Sequence, residues 1–262
     1  MNRGAYFWGG ILVLFGLLFL LSNLGLLGTI NLWNIIGPVF LVLLGLWLII
    51  GMVFKPTRKS EQAQIPLQGL RTVALQINHG AGRLRISPGA ANENLLEGTF
   101  TGGLDRKEHQ QGDHLDLTLS VPSHFFYWNW GAAGLEWNIK LNSQVSIDLE
   151  VNFGAGEIRL DLSGLDVSQL VLKTGASGNE IFLPSREGLT RVRIEAGVSA
   201  INIHVPQDVA ARIKTETGLA GVTIDRKRFP HQGGVSQSAE YDIAARKAEI
   251  KVSAGVGSVD IR

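Results

Sequence analysis

The chain has no cysteine, which excludes disulfide staples, thiolate nucleophiles and Cys-ligated zinc together. It also has almost no excess of either charge. Against 23 acidic residues stand 24 basic ones, for a net charge of +1 and a sequence pI near 8.1. Such a balance gives no general pull toward polyanions, and no nucleic-acid partner is expected. What charge there is lies unevenly. Between Arg3 and Lys55 there is no Asp, Glu, Lys, Arg or His, an uncharged run of 51 residues from Gly4 to Phe54. One bilayer-spanning helix needs only about 20 predominantly apolar residues, so a purely soluble protein is excluded. The remaining stretch, at roughly 200 residues, is long enough to bury a core of its own.

The uncharged run predicts a transmembrane helical hairpin over residues 1–56, with spans at about 5–22 and 33–54. Its connection carries Asn23, Gly25, Gly28 and Asn31, which break the apolar pattern without adding charge. Fully helical, the run would be roughly 75 Å long, more than twice the ~30 Å hydrocarbon core. Two spans fit where one does not. A signal peptide would also begin with a basic residue such as Arg3, but a second apolar span follows here instead of a cleavage site and a polar mature sequence. Arg3 precedes the first span, Lys55, Arg58 and Lys59 follow the second, and the connection has no basic residue. The positive-inside rule then puts both ends, and the globular domain, on the cytoplasmic side of the cell membrane.

After a linker at 57–66, residues 67–262 are read as one β domain built from a repeat. The pattern is apolar-x-apolar-x-x-Gly, Thr counting as apolar, and it occurs six times, ending at Gly80, Gly154, Gly175, Gly197, Gly218 and Gly255. A second apolar pair follows each glycine. In five repeats it lies four and six residues on, as at Ile158 and Leu160; after Gly175 it comes two residues late, at Ile181 and Leu183. Period-two alternation on both sides of a glycine reads as a strand, a tight turn and another strand, and the late pair as a longer turn. Successive glycines from Gly154 to Gly218 are 21, 22 and 21 residues apart, a spacing of stacked β arrays whose neighbouring rungs bury each other. The predicted fold is all-β, a repeat-built array preceded by the two-helix hairpin.

These residues carry a family resemblance. The segment FWGGILVLFGLLFLLSNLGLLG with NLWNIIGPVFLVLLGLWLII resembles the LiaI/LiaF-like transmembrane hairpin. The region VNFGAGEIRLDLSGLDVSQLVLKTGASGNEIFLPS, with IEAGVSAINIHVP beyond it, resembles the β domain of LiaF-like and toast-rack proteins of the bacterial envelope. The resemblance implies a toast-rack or solenoid-like fold. It also implies a non-enzymatic membrane protein of the cell-envelope stress response, often an accessory regulator of a sensor kinase.

Catalytic chemistry is not evident. Gly80-Ala81-Gly82, Gly154-Ala155-Gly156 and Gly255-Val256-Gly257 lack the third glycine and following helix of a dinucleotide fingerprint. Ser177 and Ser199 follow glycines but complete no Gly-x-Ser-x-Gly. The six His show no metal-ligand spacing. No catalytic residue, metal, cofactor or small-molecule substrate is therefore expected. Two features stand out as contacts. The aromatic stretch Phe125, Phe126, Tyr127, Trp128 and Trp130 reads as core filler under a loop, a partner-binding patch or a membrane-interface contact. Arg226, Lys227 and Arg228 read as a solvated loop or as a contact for anionic lipid. The expected partners are the membrane and another membrane protein such as a sensor kinase. The runner-up is a self-assembling structural or lipid-associated scaffold.

Overall fold

The computed structural model describes residues 60–122 and 135–262; the hairpin expected at 1–56 and the aromatic stretch at 125–130 lie outside them. The described residues form strands and connections, with no helix among them. In chain order the strands are β1 (Ser60–Pro66), β2 (Thr72–Pro88), β3 (Asn94–Thr101), β4 (Asp105–Gln111), β5 (His114–Ser120), β6 (Leu135–Leu141) and β7 (Ser146–Asp161). They continue with β8 (Asp166–Phe182), β9 (Gly188–His204), β10 (Ala210–Ile224), β11 (His231–Gln232), β12 (Val235–Gln237) and β13 (Arg246–Ile261). All belong to one sheet whose main path runs β1-β3-β6-β2-β7-β8-β9-β13-β10-β12-β11, with β5 on the first half of β2 and β4 on β5.

The six repeats are the six long strands β2, β7, β8, β9, β13 and β10, and they are parallel neighbours in that spatial order. Each repeat is thus one continuous strand and not two strands around a tight turn. Short connections explain why such a strand bends. Only Leu162 to Leu165 separate β7 from β8, a reach of at most ~14 Å. A straight 16-residue strand would be ~53 Å long, and so short a link could not return to its start. The chain therefore runs out along one layer, folds at the glycine and comes back along a second. Burial records the fold. On β7 the inward residues are Ile147, Leu149, Val151 and Phe153, then Ile158 and Leu160, so parity switches across the bend. Both halves feed one core cluster.

The glycines stand in register, Gly80 beside Gly154, Gly175, Gly197, Gly255 and Gly218, at a break in each ladder. A Cβ at Gly197 would sit 2.7 Å from the carbonyl oxygen of Gly175, so the rungs can approach at the bend only without side chains. Two residues on, Gly257 has φ 134°, a conformation open to glycine alone at little cost.

Two further expectations change. The pair after Gly175 is not displaced by a longer turn. Asn179 pairs with Ile158 on one side and Ile201 on the other, so it occupies the inward position that other rungs fill with an aliphatic residue. The stretch 57–66 is not linker throughout, because Ser60 to Pro66 pair antiparallel with β3. Only Ile65 of that strand is buried, which is why its composition reads as a linker.

A candidate interaction surface

Arg226, Lys227 and Arg228 lie in the turn that follows β10. Asp225 shapes this turn, its carboxylate accepting from the Lys227 backbone N–H at 3.0 Å and its carbonyl from the Phe229 N–H at 2.8 Å. Phe229 is buried as the anchor. Arg228 lies over the Phe229 ring, 4.8 Å from its centroid, and donates to the carbonyls of Val205 and Pro206, both at 2.8 Å. Its guanidinium is thus engaged in holding the β9–β10 connection, which leaves Arg226 and Lys227 as the exposed charges. Nothing in the residue types separates the three; their different fates depend on carbonyls some 20 residues away.

Inside the bend, the first rungs are aromatic. His79 stacks on Phe153 with centroids 5.2 Å apart and meets Trp137 edge-on at 5.1 Å, and Trp137 meets Phe100 at 5.0 Å. His79 is 3% exposed, and neither of its ring nitrogens nor Trp137 Nε1 has a hydrogen-bond partner. Burial alone pushes the His79 pKa down to about 4, because the imidazolium would lose its hydration there. This cluster escapes a reading of spacing, since a histidine in an alternating strand gives no sign of which face it takes.

The middle rungs are polar at the same depth. Ser177 Oγ lies 2.7 Å from Thr174 Oγ1 and 3.3 Å from Ser199 Oγ, and donates to Asn179 Oδ1 at 3.0 Å. Asn179 Nδ2 reaches the carbonyls of Ser177 and Ala200, both at 3.4 Å. All four side chains are buried. The group lacks a general base, so its serines are hydrogen-bonding groups and not an activated nucleophile. Among the described residues no three His, Asp or Glu gather as metal ligands. Counting four residues on from Gly175 would have revealed Asn179 as an inward polar residue.

Outside the bend, the surface divides sharply. Away from the corner, exposed ion pairs tie neighbouring strands: Arg83 to Glu157 at 3.0 Å, Arg85 to Glu136 at 3.1 Å, Lys173 to Glu150 at 3.0 Å, and Arg159 to Glu180. The Lys173 ammonium holds the Glu150 carboxyl below its ordinary range. Exposed pairs of this kind add little stability, at about 0–1 kcal/mol each, but they keep the face polar. Along the corner itself, register aligns Ala81, Ala155, Ala176, Val198, Val256 and Leu219. All six are exposed. The corner is an uncharged ridge that grows from methyl groups at β2 to Leu219 at β10.

Comparison with known proteins agrees with this architecture. One solved structure, a provisionally assigned cell adhesion protein from Clostridium sporogenes, superposes with a TM-score of 0.71 at 24% identity, covering 78% of this chain and 99% of its own. At that identity it shows the fold. A provisionally assigned adhesin from Bacteroides fragilis aligns over 79% of this chain and 99% of its own, at 11% identity and a TM-score of 0.29, too low to carry an argument. No curated protein matches the chain. The family model for the N-terminal domain of toast_rack, DUF2154, matches residues 54–204, from the end of the uncharged run through β9. The in-register glycine corners and the family match agree: the chain belongs to the toast-rack family.

Proposed function

We propose that the chain is a non-enzymatic, membrane-anchored accessory regulator in the bacterial cell-envelope stress response. It acts by protein–protein contact, its partner being another membrane protein such as a sensor kinase. The observation that carries this reading is the junction of two parts: a 51-residue uncharged run directly ahead of a toast-rack domain. An anchor of two spans holds a rigid, repeat-built surface beside the bilayer, where it meets other membrane proteins at high effective concentration. The basic residues at 55, 58 and 59 favour a cytoplasmic domain.

Two measurements test it. Capture of the intact protein from native membranes should recover a membrane protein partner, and deletion should alter the response to cell-wall stress. Recovery of no partner together with an unchanged response would overturn the reading. The absence of native cysteine makes topology clean to measure. Lys227→Cys, in the exposed turn after β10, should resist an impermeant thiol reagent in intact cells and react once they are permeabilised. Labelling in intact cells would place the domain outside.

A further inference from the structure

Among the described residues the sheet has four free borders. The border strand β1 contains Glu61 and Pro66. The outer side of β4 is Asp-Arg-Lys-Glu-His-Gln-Gln, dense in charge, and β11 is two residues long. Short strands, proline and charge are the ordinary protections against unwanted pairing. The fourth border differs. β10 pairs with β13 along its whole length, but β12 covers it only at Arg212 and Ile213. The side away from β13 is open from Lys214 to Ile224. Its second half, Gly218-Leu219-Ala220-Gly221-Val222-Thr223-Ile224, has no charge and no proline.

Independently, the core is unfinished at the same place. Val222 continues an inward column through Val259, Ile201, Asn179, Ile158 and Leu84. Those five are at most 2% exposed, whereas Val222 is 40% exposed. The outer ridge is most apolar here too, with Val198 58%, Val256 45% and Leu219 83% exposed. An apolar layer ends at an unprotected border.

We propose that a second copy of this chain pairs with this border, β10 against β10, antiparallel over residues 218–224 with the twofold axis at Gly221. A strand that pairs with its own copy about a twofold axis must run antiparallel to it. The choice of copy and axis follows from charge and size. With the axis at Gly221, Ala220 faces Val222 of the other copy, Leu219 faces Thr223 and Gly218 faces Ile224, so large residues meet smaller ones and no charges meet. With the axis at Gly218, Lys214 would face Val222 and Glu216 would face Ala220, placing charges in an apolar seam. Pairing at Gly221 extends the second layer across the interface and covers Val222 in each copy, while β12 already borders the first layer at Arg212 and Ile213. The inference goes beyond the regulatory reading and does not rest on it, since recruitment of a partner needs no second copy.

The test uses the full chain in mild detergent. It should be dimeric at micromolar concentration by light scattering. A Cβ at Gly221 meets open space, so Gly221→Cys should fold and form a disulfide-linked dimer on oxidation, while Gln111→Cys on the charged β4 should not. Chains bearing Leu219→Cys and Thr223→Cys should cross-link with each other when mixed, and neither alone. Thr223→Lys should move the dimer midpoint at least tenfold to higher concentration with an unchanged circular dichroism spectrum. A monomer at tens of micromolar overturns the proposal. So does a dimer in which neither the 221 variant nor the 219/223 mixture cross-links, because such a dimer is held elsewhere. A dimer from which no membrane partner is captured and whose deletion leaves the envelope-stress response unchanged would sink the regulatory reading and leave this one standing.

Discussion

The two ends of the stack of long strands meet the same difficulty with opposite means. At β2, the first long strand, β5 pairs with Thr72 to Asn78 and β6 with Gly82 to Pro88, so both arms of the bent strand are covered. His79, Phe153, Trp137 and Phe100 fill the space beneath. At β10, the last, β12 covers two residues and leaves the rest bare. A repeat array buries each rung with the next one, so its ends need something that is not a repeat. Among the described residues, extra strands and the one tryptophan, Trp137, lie at one end, and aliphatic surface is left at the other.

That contrast can be broken most severely at the covered end. Trp137→Ala removes the largest fully buried side chain and should cost about 3–5 kcal/mol, read as a lowered denaturant midpoint. A cost below 1 kcal/mol would mean that the covered end owes little to its aromatic packing.

Acid attacks the same end by another route. His79 titrates near 6.5 in an unfolded chain and at about 4 in the fold. Its folded pKa is depressed, so below pH 6.5 the unfolded state takes up a proton that the folded state refuses. The contribution of neutral His79 is complete above about pH 6.5, falls as the pH drops toward 4, and is gone below that. The loss amounts to about 3 kcal/mol. His79→Phe, which keeps the stack on Phe153, should flatten stability between pH 4 and 6.5. An unchanged pH profile would mean that other groups dominate.

The middle of the stack sharpens the comparison. Asn179→Ala leaves Ser177 short of a partner inside the core and should cost about 1–3 kcal/mol. Asn179→Ile, matching Ile158 and Ile201 beside it, should cost less, because new apolar contact offsets the lost hydrogen bonds. If isoleucine proves worse than alanine, the Ser177 network requires the amide. The smallest effect belongs to the bare end. Leu219→Ala, at a residue 83% exposed, should change folding stability by less than about 0.5 kcal/mol. A larger loss in dilute protein would reveal a cover over β10 within the same chain.

The covered middle of the array was legible in the sequence and its borders were not. Alternation around glycine at steps of 21 and 22 residues, read together with the toast-rack resemblance, gave the all-β array and its repeated rungs. Spacing alone does not say whether a glycine ends a strand or bends it, since turns and bends both need backbone without a side chain. The four-residue links, which force the bend, become informative only once the strands are known to be parallel neighbours. Nor does spacing give order: β13 follows β10 in the chain but lies between β9 and β10 in the sheet. Of the candidate contacts, Arg228 reads like its neighbours until the carbonyls of Val205 and Pro206 are in place, and Phe125 to Trp130 lie outside the described residues.

The position of β13 bears on how the chain is made. Residues 246–261 are translated after β10 yet complete the sheet on both of their sides, pairing with β9 at one flank and β10 at the other. Until they leave the ribosome, β9 offers an open parallel edge of 17 residues and β10 has its main neighbour missing. The first rungs can close in order as they are synthesised, whereas the last two form together and late. During that interval the nascent chain exposes two adhesive edges at once, so chaperone binding should concentrate on nascent chains that end between residues 224 and 261.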